Sequence, residues 1–190
     1  RQPRRDRLEV RRLNQHYERL RDAIDSQLLD KKAYRAQRKA RAKTRKKGQA
    51  QDRPRVFVLD FHGDIRASRV EALREEITAL LAVATERDEV VVRLESPGGL
   101  VPHYGLAASQ LARVRERGIR LTVTVDRMAA SGGYLMACVA DRLLAAPFAM
   151  IGSIGVVAQV PNFHRLLKRH DIDYEMLTAG EYKRTLTTFG

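Results

Sequence analysis

The sequence is poor in the residues that build disulfides, stacking surfaces and membrane spans. Among 190 residues there is one cysteine, Cys138, and no tryptophan, so a disulfide within the chain is excluded. No stretch approaches the roughly 18 uninterrupted apolar residues that predict a helix across a bilayer. The chain begins at Arg1 without a methionine. We therefore expect it to be a piece of a longer protein, with a membrane anchor upstream.

Ligand-binding signatures are also absent. His, Cys, Asp and Glu show no metal-ligand spacing, and there is no glycine-rich nucleotide fingerprint. We therefore expect no metal and no other cofactor. Aromatic residues make up only 6% of the chain, which leaves little material for stacking single-stranded bases. We therefore do not expect nucleic acid as a partner.

The net charge of +13 is concentrated at the start of the chain. Residues 1–50 hold 18 Lys and Arg against 6 Asp and Glu, whereas residues 51–190 hold 18 against 17. Apolar residues recur there at helical spacing, at Leu13, Tyr17, Leu20, Ile24 and Leu28. We interpret residues 1–50 as a basic helical arm and linker that acts as a spacer. The alternatives are attraction to an anionic membrane surface and weak, salt-sensitive binding of nucleic acid.

Strands and helices alternate in the remainder, residues 54–190. Ser68 with Glu71 fits a capping box at the start of one helix. The pattern predicts strands at 56–61, 89–94, 121–125, 142–146 and 173–178, and helices at 68–84, 102–117, 134–140 and 162–170. Strand, crossover helix and strand in this order predict an α/β domain with a parallel sheet, which binds ligands at the carboxyl ends of its strands.

Two small-residue loops follow such strand ends. Ser131, in Ala-Ala-Ser-Gly-Gly-Tyr, lies between the strand at 121–125 and an apolar helix, where a hydroxyl can stand beside backbone N–H groups. The simpler alternative is that Ser131 only caps the helix. The loop Ser96-Pro97-Gly98-Gly99 lies one strand earlier, and its glycines let backbone N–H groups approach a ligand. Together the two loops could converge on one carbonyl.

A serine nucleophile also needs a base. His62 and His103 follow strand ends and stay open as candidates. Lysine is the stronger candidate, because residues 51–190 contain 16 Arg but only two Lys, Lys168 and Lys183. A lysine kept in the loop Gly180-Glu-Tyr-Lys183 suggests a role that arginine cannot fill, which is to lose its proton when desolvated.

These motifs, together with Ile151-Gly-Ser-Ile-Gly-Val156, resemble the signal-peptide-peptidase family of Ser–Lys proteases, and most closely its SohB-type branch of bacterial inner-membrane proteases. The resemblance runs from about Pro54 to Gly190. It implies a ClpP/crotonase-like fold of repeated β-β-α units. It also implies Ser131 as nucleophile, Lys183 as general base and Ser153 as the residue that orients the lysine, with the N–H groups of Gly99 and Gly132 as the oxyanion hole.

The expected activity is therefore that of a serine endopeptidase that cleaves peptides, or membrane and signal-peptide remnants, through an acyl-enzyme. The resemblance further implies a homo-oligomeric ring at the bacterial inner membrane. It favours the periplasmic face, whereas the positive-inside rule places the basic arm in the cytoplasm. The alternatives are a crotonase-like acyl-CoA enzyme and a non-enzymatic module that binds membranes or nucleic acid. The pairing of Ser131 with Lys183 argues against the acyl-CoA enzyme, and the binding module stays open.

Overall fold

The computed structural model describes residues 8–49, 53–157 and 161–172. Its elements in chain order are α1 Leu13–Leu28, α2 Lys31–Gln49, β1 Val56–His62, α3 Val70–Leu81, β2 Glu89–Glu95, α4 Val101–Glu116, β3 Arg120–Val125, β4 Met128–Ala130, α5 Gly132–Ala137, β5 Arg142–Ala145, β6 Met150–Gly152 and α6 His164–Arg169. The chain divides into two compact units, one ending at Ile154 and one beginning at Gly155. Within the described ranges, no helix has the length and apolarity needed to cross a membrane.

The basic arm is built from two helices. Asp30 lies just before α2 and caps it, because its Oδ1 accepts hydrogen bonds from the N–H groups of Lys32 and Ala33 at 2.8 Å. Arg41 of α2 reaches back to Asp25 of α1, with 2.6 Å between Nη1 and Oδ2. The apolar stripe of α1 is exposed. The domain boundary at residues 50–54 and the affinity of the arm for anionic membranes stay predictions.

Two parallel sheets form the frame of the first unit. The larger has the strand order β1-β2-β3-β5, and the smaller pairs β4 with β6. A bridge between Ser96 and Ala129 adds the end of β2 to the smaller sheet. The chain thus repeatedly contributes one stretch to each sheet and then a helix, first through β2, Ser96 and α4, and then through β3, β4 and α5. This is the repeated β-β-α unit of a ClpP/crotonase-like fold, so the predicted α/β fold class is confirmed.

The core lies between the larger sheet and the helices α3 and α4. Alternate residues of β2 and β3 point into it and are at most 2% exposed: Val90, Val92, Leu94, Leu121, Val123 and Val125. The two helices contribute apolar residues at helical spacing, among them Leu73, Ile77, Leu111 and Val114. Each such side chain stabilises the fold by about 1.5–3 kcal/mol. This burial fixes the strand ends from which the two loops emerge.

The structure corrects the predicted secondary structure at two places. The capping box at Ser68 is wrong, because α3 begins at Val70 and the Ser68 N–H donates to Asp64 Oδ1 at 2.9 Å. The sequence prediction also misses β4, whose three residues are too few to show an alternating pattern. The predicted strand at 173–178 lies outside the described residues.

A buried carboxylate ties the amino-terminal ends of β1 and β2 together. The Asp88 side chain is 3% exposed, and it accepts from the Arg55 N–H and Nη2, both at 2.7 Å, and from the Thr85 N–H at 2.8 Å. The hydrogen bonds from the Arg55 side chain are the largest cause that holds the pKa of Asp88 well below its ordinary value. Because the pKa is lowered in the folded state, the ionised carboxylate stabilises the fold above the unfolded-state pKa.

We predict that Asp88→Asn lowers the free energy of unfolding by about 2 kcal/mol at pH 7, since an amide N–H would then face the donors of Arg55 and Thr85. The deficit should shrink as the pH falls below about 4, where the unfolded carboxyl takes up a proton. Urea unfolding between pH 7 and pH 2 measures both effects. Asp126→Asn, at an exposed position, is the control. A deficit that does not change with pH would contradict the assigned role.

Candidate active site

Ser131 has a strained backbone conformation at a strand-to-helix turn. It directly follows β4 and precedes α5, with φ 51° and ψ −119°. A residue other than glycine in such a conformation costs on the order of 1–3 kcal/mol, and surrounding contacts must hold it there. Here the Ser131 N–H donates to the Gly152 carbonyl at 2.7 Å, and the Leu135 N–H donates to the Ser131 carbonyl at 2.9 Å. Both ends of the turn are therefore fixed.

The Ser131 hydroxyl does not serve the helix that it precedes. Ser131 occupies the N-cap position of α5, yet its side chain makes no capping hydrogen bond. The interpretation of this serine as only a helix cap is therefore wrong. A serine on a sharp strand–turn–helix connection, half-buried as Ser131 is here, is the geometry by which α/β-hydrolases present a nucleophilic hydroxyl.

The glycine loop packs directly against this turn. A Cβ atom added to Gly98 would lie 2.7 Å from Ser131 Cβ, 2.7 Å from the Ala130 carbonyl oxygen and 2.8 Å from the Gly132 nitrogen. Gly98 also has a φ of 85°, in the region that favours glycine. The close approach of the two loops, predicted from the strand order, is present.

Two backbone donors belong to residues next to this contact. Among the described residues, nothing accepts a hydrogen bond from the N–H of Gly99 or from the N–H of Gly132. The Gly132 N–H follows Ser131 in the chain, and the Gly99 N–H follows Gly98, which contacts both Ser131 and Gly132. Unpaired N–H groups beside a nucleophile are what an oxyanion hole requires.

A buried polar cluster lies beneath the loops, and the sequence reasoning did not predict it. Ser96 and Tyr104 are both fully buried, with 2.6 Å between their hydroxyl oxygens. The Gly98 N–H donates to Ser96 Oγ at 3.1 Å, and the Tyr104 hydroxyl donates to the Asp64 carbonyl at 2.8 Å. Burial raises the pKa of Tyr104 above its usual value, so the phenol keeps its proton. An aromatic residue on a helix resembles any core residue in sequence, which gives no signal of this role.

The other predicted site residues are the candidate bases and the serine expected to orient the lysine. Ser153 follows Gly152, the residue that accepts the Ser131 N–H, and it is exposed with a φ of 55°. Lys183 lies outside the described residues. The His62 side chain is 72% exposed, with its Nδ1 3.8 Å from Glu95 Oε2. Across the described ranges, no side chain is hydrogen-bonded to the Ser131 hydroxyl, so the structure gives a histidine base no support.

Comparison with known proteins finds matching family models and similar relatives. Residues 1–111 match the model described as Peptidase family S49 N-terminal, and residues 113–190 match Peptidase family S49. A probable protease SohB from Haemophilus influenzae is 67% identical over 135 residues, which are 71% of this chain and 38% of the relative. A probable protease SohB from Buchnera aphidicola is 50% identical over 197 residues, which are 96% of this chain and 65% of the relative.

A solved structure of a 1510-N membrane-bound stomatin-specific protease is also similar. It aligns with a TM-score of 0.48 and 20% identity, covering 58% of this chain and 49% of that one. The chain thus spans between about two fifths and two thirds of the length of the two curated relatives.

The contacts of Gly98 lead to a prediction about stability. Gly98→Ala should lower the free energy of unfolding by about 2 kcal/mol or more, because the new methyl group meets backbone atoms and φ is positive. Gly105→Ala is the matched control. A methyl group there meets nothing within 4 Å, so the change should be neutral or stabilise α4 by about 0.5–1 kcal/mol. Urea unfolding of both variants measures the difference. Equal stability of the two would show that the loops are not in close contact.

Proposed function

Since the chain belongs to peptidase family S49, we propose that it carries the nucleophile and the oxyanion hole of a serine endopeptidase. The observation that supports this best is the contact between the strained Ser131 turn and the glycine loop, where no described residue accepts a hydrogen bond from the N–H groups of Gly99 and Gly132. Acyl transfer needs this combination, because charge develops on the carbonyl oxygen while the hydroxyl attacks.

The proposed reaction begins with attack of Ser131 Oγ on a peptide carbonyl carbon. The hydroxyl proton passes to the base as the new C–O bond forms, and the carbonyl oxygen takes the negative charge. The N–H groups of Gly99 and Gly132 would hold that oxygen. The tetrahedral intermediate then expels the amine, which receives the proton from the base. Water, deprotonated by the same base, releases the acyl group from Ser131.

We propose Lys183 as the base, on the composition of the sequence and the family resemblance. Residues 51–190 contain only two lysines, and the other one, Lys168, is exposed on α6. To act at neutral pH, Lys183 must be neutral, which requires desolvation to lower its pKa. We assign Ser153 to orient it, because Ser153 follows the residue that binds the Ser131 N–H. Ring assembly at the inner membrane stays a prediction.

The nucleophile is tested with a fluorophosphonate probe, which phosphonylates activated serines. In the intact protein, Ser131→Ala should abolish labelling and lower kcat by up to about 10⁶-fold, because a missing nucleophile stops the first step. Ser26→Ala, at an exposed position in the arm, should label like the wild type. Mass spectrometry of the adduct and a peptide-cleavage assay measure the outcome. Undiminished cleavage by Ser131→Ala would refute the proposal. A wild-type protein that the probe does not label would favour the crotonase-like alternative, because such an enzyme does not use a serine nucleophile.

The base is tested by a substitution that keeps the charge. Lys183→Arg should be as inactive as Lys183→Ala, since a guanidinium stays protonated at any pH the protein tolerates. Lys168→Arg, on the exposed face of α6, is the control and should be nearly silent. The wild-type rate should rise with pH, as a group with a pKa well below the ~10.4 of free lysine loses its proton. A Lys183→Arg enzyme with most of its activity would return His62 and His103 to consideration.

A further inference from the structure

Tyr104 connects three segments that meet beneath the proposed oxyanion hole. It lies in the first turn of α4, directly after the glycine loop, and its side chain is fully buried. Its hydroxyl oxygen is within hydrogen-bond distance of the Asp64 carbonyl and of the Ser96 hydroxyl. Its ring carbons lie against the Cα of Gly132. No part of the Tyr104 side chain is exposed to solvent, so these contacts fix its position.

The direction of the hydrogen bonds follows from counting protons. A carbonyl oxygen can only accept, so the single phenolic proton of Tyr104 goes to Asp64. The Ser96 hydroxyl must then donate to the Tyr104 oxygen, which leaves Ser96 Oγ to accept from the Gly98 N–H. The bonds form one chain from Gly98 through Ser96 and Tyr104 to Asp64, and each hydroxyl in it both donates and accepts.

This chain fixes the peptide unit that precedes the proposed donor of the glycine loop. The Gly98 N–H is held 3.1 Å from Ser96 Oγ, while the Cα of Gly98 is packed against Ala130, Ser131 and Gly132. With both groups fixed, the next peptide unit has little freedom, and that unit carries the Gly99 N–H. Ser96 Oγ therefore holds the amino-terminal side of this unit, and the close packing of Gly99 against the backbone of Ile65 holds its other side.

The ring of Tyr104 fixes the second donor. A Cβ atom on Gly132 would lie 2.7 Å from Tyr104 Cβ and 2.8 Å from Tyr104 Cδ2. The Tyr104 ring therefore packs directly against the backbone of Gly132. One buried side chain touches the residue that carries one proposed donor and, through Ser96 and Gly98, helps to hold the peptide unit that carries the other.

We propose that Tyr104 is a positioning residue that sets the two oxyanion donors, the N–H groups of Gly99 and Gly132, relative to each other and to Ser131. The hydroxyl acts on the Gly99 donor through Ser96, and the ring acts on the Gly132 donor by contact. This inference rests on the proposed function, because it assigns a role within the same site.

Tyr104→Phe separates the two contributions, since it removes the hydroxyl and keeps the ring under Gly132. In the intact protein we expect the rate of fluorophosphonate labelling and the kcat for peptide cleavage to fall by about 10- to 100-fold, with KM within about 3-fold. Loss of a whole oxyanion donor costs about 10²–10³-fold in kcat, and a misdirected donor should cost less. The labelled fraction at the end of the reaction should still approach that of the wild type, because folded protein retains Ser131.

Two further variants complete the test. Ser96→Ala should slow labelling in the same way, and the double variant should be no slower than about the slower single one, because both changes break one chain of bonds. Ser109→Ala is the matched control, since its hydroxyl lies on the same helix but binds only within α4. It should label at the wild-type rate.

The outcomes distinguish this inference from the proposed function. A wild-type protein labelled at Ser131, with Tyr104→Phe labelled equally fast, would overturn the positioning role alone. A rate that falls only in proportion to the labelled fraction would also overturn it, because Tyr104 would then support folding and nothing more. A wild-type protein that the probe does not label would overturn the proposed function, and this inference with it.

Discussion

The site depends on the hydrogen bonds that hold Ser131 in a conformation it would not adopt alone. A positive φ at a serine costs on the order of 1–3 kcal/mol, and the turn has no glycine at that position to reduce the cost. The Ser131 N–H bonds to Gly152 in β6, and the Ala130 N–H bonds to Ser96 at the end of β2. Without these bonds the residue could relax, and its hydroxyl would be available to cap α5 as such serines usually do.

The smaller sheet supplies those bonds, and this explains its composition. Its strands β4 and β6 have three residues each, too few to be stable alone. Its members close to Ser131 are small: Ala129 is fully buried, Ala130 is half-buried, and Gly152 has a φ of 118°. A side chain at Gly152 would be strained by this positive φ, so glycine suits the residue that binds the Ser131 N–H. The short sheet therefore brings the two loops into contact, and the larger sheet and its helices supply the stability.

The sequence predicts the larger sheet well because its strands and helices have long, regular patterns. The run Leu121–Val125 and the helix at 102–117 are read from local periodicity alone, and the strand order then predicts that Ser131 and Gly99 share one edge. What it misses depends on contacts between distant residues. The strand β4 exists because Met128–Ala130 pairs with Met150–Gly152. The role of Tyr104 depends on partners 8 and 40 residues away in the chain, which no local pattern encodes.

The glycines of the site let the glycine loop pack closely against the Ser131 turn. The surrounding contacts restrict the backbone freedom that glycine would otherwise have. Glycine loses more conformational entropy on folding than any other residue, so a loop with Gly98 and Gly99 is costly to order. Gly98 is nevertheless required, because any side chain would meet the backbone around Ser131. Pro97 restricts the preceding residue, and the bonded chain through Ser96 and Tyr104 holds the Gly98 N–H with every member satisfied. Donors ordered before the substrate arrives need no reorganisation as charge develops, and that is the condition under which backbone N–H groups stabilise an oxyanion most strongly.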